Sequence, residues 1–301
     1  MISNLLYKVY WRLTDNRWQI AFPQTSLEKM IAGEPYKMAI LKNAPKDTWF
    51  ADPFVLDVTP STIVLLVEEF LLSCGRGRIA RLTISRPDYT LLKNETLIDL
   101  DTHLSFPAIK REAGRIFIYP ENSASRKLTI YEYDIATGQC RPYNTMCDKG
   151  LIDAIQEEVD GKDYVFATTQ PSPNGHTLGV YEAKNGGGYF LCQSITFNEN
   201  IARNGGAFFH VDGKTYRPAQ DCNHGYGRGL SIQEMKYADG RFAFVEKIRL
   251  KSPRGHLDFG MHTLNEYKGV IVTDITTYRR PIIGHFTDVV WQKLHWPISL
   301  K

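Results

Sequence analysis

The chain has 301 residues, of which 43% are hydrophobic and 12% aromatic, so it is expected to be globular and can bury the core of one large all-β domain or of two ordinary ones. Lys and Arg number 36 against 33 Asp and Glu, a formal net charge of +3. That balance leaves no general polyanion-binding surface and sets nucleic acid aside as a partner.

Cys74, Cys140, Cys147, Cys192 and Cys222 are odd in number, scattered and not arranged as metal-ligand pairs. Neither a disulfide framework nor a zinc site is signalled, no cofactor is implied, and reduced thiols in the cytoplasm fit best. The N-terminus, MISNLLYKVYWRLTDNRWQIAF, has a short apolar run broken by Lys8 and Arg12 and no small-residue cleavage site, which makes it a poor secretory signal. No later run approaches the roughly 20 apolar residues that span a bilayer. Leu5, Leu6, Val9 and Leu13 share one face of a short helix, with Lys8, Arg12 and Arg17 nearby. This face reads either as packing or as peripheral contact with a membrane surface.

Taken in order, the chain repeats one pattern. Strands at 51–56 and 63–69 flank Thr59-Pro60-Ser61, and 78–84 follows Gly75-Arg76-Gly77. A second unit places 105–109 and 115–121 around Glu112-Ala113-Gly114, then 128–133. A third places 151–155 and 163–168 around Asp160-Gly161-Lys162, then 178–182. The fourth, ARNGGAFFHVDGKTYRPAQDCNHGYG, is the densest in polar side chains; its Asp212-Gly213 supplies the positive φ of a tight hairpin. The fifth places 260–264 and 270–274 around Tyr267-Lys268-Gly269. Five units of about 50 residues built from short alternating strands predict an all-β, five-bladed β-propeller with four-stranded blades around a central channel. The segment through about Leu41 is expected to pack on the propeller or to supply a closing strand to the last blade, making residues 1–301 one domain.

Residues at the starts of the first strands then converge although far apart in sequence: Asp52, His103 with Ser105, Asp153, Arg203 with Asn204, and His262. The ends of the second strands bring Glu68 or Glu69, Glu121, Gln170, Gln220 with Asp221, and Asp274. Each has a plainer reading. Asp52 before a proline is a common turn former, and Glu121 after Pro120 fits a solvated rim. Asp153, between Ile152 and Ala154, is costly to bury unpaired and calls for a ligand or an arginine. Arg217 lies mid-strand and serves either a ligand or a structural salt bridge to Asp221 or Asp153. His256, Asp258 and His262 lack a standard ligand spacing, and no metal is assigned to them. Gly205-Gly206 begins a strand, not a helix, and makes a poor phosphate loop.

WFADPFVL, VEEF, HLSFPAI with IYPENS, LIDAI and the fourth unit, with FVEKI and GMHTLN after it, resemble a family of five-bladed propellers related to the arabinanase, levansucrase and invertase superfamily. Within it the chain resembles the glycosidase-like N-terminal domain of plant glucosamine inositolphosphorylceramide transferases and its bacterial stand-alone relatives of surface-polysaccharide synthesis. The resemblance covers about Trp49 to Asp274. It implies a carbohydrate site on the channel axis with three acids: a base or nucleophile, a pKa modulator and a general acid. Asp52 in ADPF matches the first. Phe106-Pro107 stands where the modulating Asp-Pro is expected, Asp153 is a candidate acid, and Glu121 and Asp221 are candidates for the remaining roles.

The expected function is glycosidic-bond chemistry with Asp52, Asp153 and Glu121 as catalytic candidates. Glu69, His103, Arg203, Arg217, Gln220, Asp221, Tyr226, His262 and Asp274 are the substrate-binding candidates. Arg203, Arg217 and Arg228 either grip a phosphate or sugar carboxylate or orient Asp221 and Asp153. The leading reading is sugar transfer from an activated donor in surface-glycan assembly in the cytoplasm. The alternatives are a family 43 type hydrolase and a non-catalytic glycan-binding propeller with Trp49, Phe106 and Tyr226 as stacking platforms.

Overall fold

The computed structural model describes residues 9–10, 13–184, 187–255 and 258–294. The chain enters through β1 (Asn16–Pro23), a short helix α1 (Leu27–Ile31) capped by Ser26, and β2 (Met38–Ile40). Blade one is β3 (Thr48–Val58), β4 (Thr62–Leu71), β5 (Arg76–Ser85) and β6 (Leu91–Ile98). Blade two is β7 (Ser105–Glu112), β8 (Arg115–Glu121), β9 (Leu128–Asp134) and β10 (Gln139–Cys147). Blade three is β11 (Leu151–Val159), β12 (Lys162–Thr169), β13 (Thr177–Ala183) and β14 (Tyr189–Thr196). Blade four is β15 (Phe209–Val211), β16 (Lys214–Asp221), β17 (Gly229–Ala238) and β18 (Arg241–Leu250). In blade five β19 (Asp258–Gly260) and β20 (Leu264–Tyr267) both pair with β21 (Val270–Tyr278), after which α2 (Pro281–Leu294) follows. The result is the five-bladed, all-β propeller that the repeats predict.

Local chemistry explains the blades. Asp212-Gly213 joins β15 to β16 with φ of 49° and 70°, and Asp160-Gly161 joins β11 to β12 with 51° and 72°, the paired left-handed residues of a tight hairpin turn. The strands are apolar on both faces because each blade is packed between two others. On β4, Ile63, Leu65 and Val67 pack with Ile20, Phe22 and Val272 of blade five, whereas Leu66 packs with Ile118 and Tyr133 of blade two.

Blade five takes its outer strands from the other end of the chain. β1 runs antiparallel to β21 from Asn16↔Tyr278 to Ala21↔Thr273, and β2 pairs with β1. Leu5, Leu6, Lys8 and Arg12 of the expected N-terminal apolar face lie outside the described residues, and Val9 is exposed. The five cysteines are free. Among the described residues no helix is long and apolar enough to cross a membrane.

The inner strands are interrupted at one common level. Between Ala51↔Glu68 and Phe54↔Leu66, two residues of β3 oppose one of β4; the same bulge lies between Ser105↔Glu121 and Ala108↔Tyr119, and between Ile152↔Thr168 and Ile155↔Phe166. Blade five breaks between β19 and β20, at Met261, His262 and Thr263. Such a bulge turns a side chain and a backbone N–H out of the ladder, so it aims groups from several blades at one place.

Candidate active site

The first residue of each bulge is left-handed: Asp52 at φ 50°, Phe106 at 45° and Asp153 at 46°. Asp tolerates this conformation; for Phe it is strained. The bulges link the blades through N–H groups freed from the ladder. The Asp52 N–H donates to Asp274 Oδ2 at 2.8 Å, and the Phe106 N–H donates to Asp52 Oδ2 at 3.1 Å. Blades five, one and two are thereby joined through two carboxylates.

Asp274, on β21, is fully buried. Its Oδ1 accepts from His262 Nδ1 at 2.7 Å and from the N–H groups of His262 and Thr263 at 3.2 and 3.0 Å. Burial pushes this carboxyl up, but the His262 charge and these hydrogen bonds outweigh it and leave it below its ordinary value. The other ring nitrogen of His262, Nε2, lies 3.5 Å from Asp52 Oδ1. Burial disfavours the imidazolium, but the flanking carboxylates of Asp274 and Asp52 prevail and raise its pKa. Asp52 is itself pushed up to about 7, by burial first, with His262 pulling it down and Asp153 and Asp274 adding repulsion. It is therefore a carboxyl poised to exchange a proton near neutral pH.

Asp153 has the same backbone setting and different company. Its Oδ2 accepts from Arg203 Nε at 2.6 Å and from Gln220 Nε2 at 2.8 Å, while Oδ1 accepts from Arg203 Nη2 at 3.3 Å. Arg203 also donates to Asn174 Oδ1 at 2.8 Å and lies 5.0 Å from the Tyr226 ring centre. The Tyr226 ring packs edge-on against His262 at 5.2 Å, so it bridges the Asp153 and Asp52 sides.

A further carboxyl belongs to the centre. Glu68, paired with Ala51 at the bulge, is buried and lies 3.4 Å from His103 Nε2. Burial, then the charges of Asp52, Glu121, Asp274 and Asp153, push it well above its ordinary value. His103 Nδ1 accepts the Gly77 N–H at 3.0 Å, which leaves the proton of the neutral ring on Nε2, facing Glu68. Glu121 occupies the register position of Glu68 in blade two; it accepts from Ser105 Oγ at 2.9 Å and from the Ser123 N–H at 2.7 Å.

The structure thus gathers Asp52, Glu121, Asp153, His103, Arg203, Gln220, Tyr226, His262 and Asp274, and of the pair Glu68 or Glu69 it brings Glu68. Other expected residues stand elsewhere. Glu69 points away from Glu68, accepting from Arg78 Nε and Asn94 Nδ2, each at 2.7 Å. Arg217 is fully buried and makes none of the expected salt bridges: it donates to Asn204 Oδ1 at 2.7 Å, Gln233 Oε1 at 2.6 Å and the Ala202 carbonyl, and burial lowers its pKa to about 9. It braces the segment that carries Arg203. Asp221 accepts from the N–H and Nδ2 of Asn223 at 3.1 and 2.8 Å and lies 3.6 Å from Arg249 of β18. Phe106, expected as a stacking platform, is buried edge-on against Phe54 at 5.0 Å. Arg228 donates to the Phe259 carbonyl at 3.3 Å. Trp18 of β1 was not among the expected residues; its ring stacks on His262 at 3.9 Å with 18° between the planes. Only its place on the strand that closes the ring brings it there.

His256 lies outside the described residues, and Asp258 accepts from Ser252 Oγ and lies 3.6 Å from Arg254. Asp52, His262 and Asp274 each offer one potential ligand atom, all within 4.8 Å of one another. Both Asp274 oxygens and His262 Nδ1 are already engaged in the hydrogen bonds above. Few donors remain for the coordination that zinc or calcium requires.

Among solved structures, a family 43 β-xylosidase/α-arabinofuranosidase from a compost microbial metagenome has a similar fold: TM-score 0.54 at 10% identity, covering 78% of this chain and 92% of that one. In sequence the chain is similar to glucosamine inositolphosphorylceramide transferase 1 of indica rice, at 27% identity over 199 residues. That match covers 62% of this chain and 26% of the rice protein. The transferase of the same name from Arabidopsis thaliana is 24% identical over 267 residues, 79% of this chain and 34% of that protein. The chain therefore spans about a quarter to a third of the length of these relatives. Residues 38–247, more than two thirds of the chain, match the family model of glucosamine inositolphosphorylceramide transferase 1, N-terminal, and the chain belongs to that family.

Proposed function

We propose that this chain is a carbohydrate-active enzyme that transfers a sugar, with Asp52 as the base that takes the proton of the acceptor hydroxyl. The observation that carries the reading is the setting of Asp52: one oxygen pinned by the Phe106 N–H, the other 3.5 Å from a histidine, and a pKa near 7. As the acceptor oxygen bonds to the anomeric carbon, its proton passes to Asp52 and the bond to the leaving group breaks. A phosphate leaving group departs with the bonding electrons and needs no proton, so Glu68 then serves as a hydrogen-bond donor to the bound sugar. The transferase name of the relatives supports this direction. We extend the reading to surface-glycan assembly in the cytoplasm, with peripheral membrane contact through the N-terminal segment.

Glu68 also favours a second reading, hydrolysis. Two carboxyls in one centre, one serving as acid and one as base, are the arrangement that glycoside hydrolysis uses, and water would replace the acceptor.

A thermal-shift screen of nucleotide sugars and aryl glycosides identifies the ligand class, and turnover follows with the best ligand. Asp52→Asn should lower turnover by roughly 10²–10⁴-fold; an unchanged rate removes Asp52 from the mechanism. Glu68→Gln separates the two directions. It should cripple hydrolysis of glycosides with poor leaving groups and spare transfer from a phosphate-linked donor.

A further inference from the structure

Beside the candidate centre, between the closing strand β1 and the first inner strand β3, lies a cavity of about 480 Å³ that no role yet described uses. Arg17 and Trp18 line it from β1, Thr48 and Trp49 from β3, Lys46 from the loop between β2 and β3, and Arg279 from the segment before α2. Its ionisable lining is entirely cationic. The acid next to it, Asp15, lies 3.7 Å from Arg17 and 3.9 Å from Arg279, too far for a hydrogen bond to either.

Two buried polar atoms in this wall make no hydrogen bond among the described residues: Arg17 Nε and Thr48 Oγ1. Thr48 is 8% exposed, and among the described residues the Arg17 guanidinium hydrogen-bonds through Nη1, which donates to the Lys46 carbonyl at 2.5 Å, with Nη2 in a longer ion pair to Asp15. A buried guanidinium N–H and a buried hydroxyl without acceptors are each costly. Arg17, Lys46 and Arg279 outnumber the flanking acids Asp15 and Asp47, and the net positive charge of the cavity attracts an oxyanion.

The cavity also borders the reacting centre. Trp18 lines it and stacks on His262, the partner of Asp52. Trp49 precedes Asp52 by three residues on β3, at most about 10 Å along a strand, which is the span of about one sugar unit.

We propose that this cavity is a phosphate subsite, which holds a phosphate carried by the molecule whose sugar is bound at Asp52. The proposal rests on the sugar-transfer reading only for that placement. Two sources share the chemistry: the diphosphate of a nucleotide-sugar donor and a phosphodiester on the acceptor. It also relocates the cationic grip from Arg203 and Arg217, whose donors are engaged within the protein, to Arg17, Lys46 and Arg279.

Titration calorimetry of the full chain at low ionic strength, with uridine diphosphate and with glycerophosphoglycerol as probes, tests this. At least one should bind: uridine diphosphate alone assigns the donor as the source, glycerophosphoglycerol alone the acceptor, and either result supports the subsite. Arg17→Gln should weaken that binding roughly tenfold or more. Because Arg17 also holds the Lys46 carbonyl, Lys46→Gln combined with Arg279→Gln, both at exposed side chains, should give a comparable loss without unfolding. The proposal is overturned if neither probe binds, or if binding is the same in the parent, in Arg17→Gln and in the double variant. Asp52→Asn keeps the two readings apart, since it should lower turnover by the same roughly 10²–10⁴-fold and leave phosphate binding intact.

Discussion

Asp52 and Asp153 are built alike and equipped differently. Both stand first in an inner-strand bulge, with φ of 50° and 46°, and both are buried. Asp153 is clamped by a two-point Arg203 contact and by Gln220, whereas Asp52 has one backbone N–H on Oδ2 and a histidine 3.5 Å from Oδ1. The third copy of the bulge carries Phe106, an apolar plug whose only polar contribution is its N–H. One backbone device thus yields a clamp, a plug and a titrating carboxyl, and the neighbours decide which.

Removing the clamp is the severest way to break this contrast. Arg203→Met leaves Asp153 buried and short of its strongest partner, and should cost about 3–5 kcal/mol, read from the denaturant midpoint. Adding Asp153→Leu should recover much of the loss, and no recovery would mean that Arg203 acts through other contacts.

On the Asp52 side the sign reverses. Its carboxyl titrates at 3.8 ordinarily and near 7 in the fold, so between about pH 4 and 7 the native state holds a proton that the unfolded chain has released. Stability from this group therefore falls as pH rises through that window. Asp52→Asn should be more stable than the parent by about 4 kcal/mol at pH 8, with the gap closing by pH 4. A pH-independent difference between the two melting curves would refute the assigned environment.

The smallest change concerns tuning. His262 is the main charge holding the Asp52 pKa down, so His262→Gln should move the acid limb of the kcat/KM profile from near pH 7 to higher pH. An unmoved limb would detach His262 from the proton chemistry.

Much of this was legible in the sequence because alternation and Asp-Gly turns report local geometry. Five repeated hairpins gave the blades, and Asp52 followed from its place at the start of an inner strand. The choice between Glu68 and Glu69 was not legible, since side chains alternate along a strand and the bulge at Asp52-Pro53 sets which one faces the centre. Arg217, flanked by Tyr216 and Pro218, looks equally suited to ligand contact; its partners Asn204 and Gln233 become neighbours only through pairing of β16 with β17 and the return of the preceding segment. Trp18 lies more than 200 residues from His262 in sequence, and nothing local announces that they stack.

The pairing of β1 with β21 has a consequence in time. During synthesis β1 emerges first and cannot meet its partner until Tyr278 has been made, a delay of roughly 15–50 s at about 5–20 residues per second. Asp52, waiting on the same early stretch, acquires Asp274, His262 and the Trp18 cover of that histidine only at the end. A chain cut short before the fifth blade would carry the candidate base without the groups that tune it, so incomplete translation products should be inert as well as unclosed.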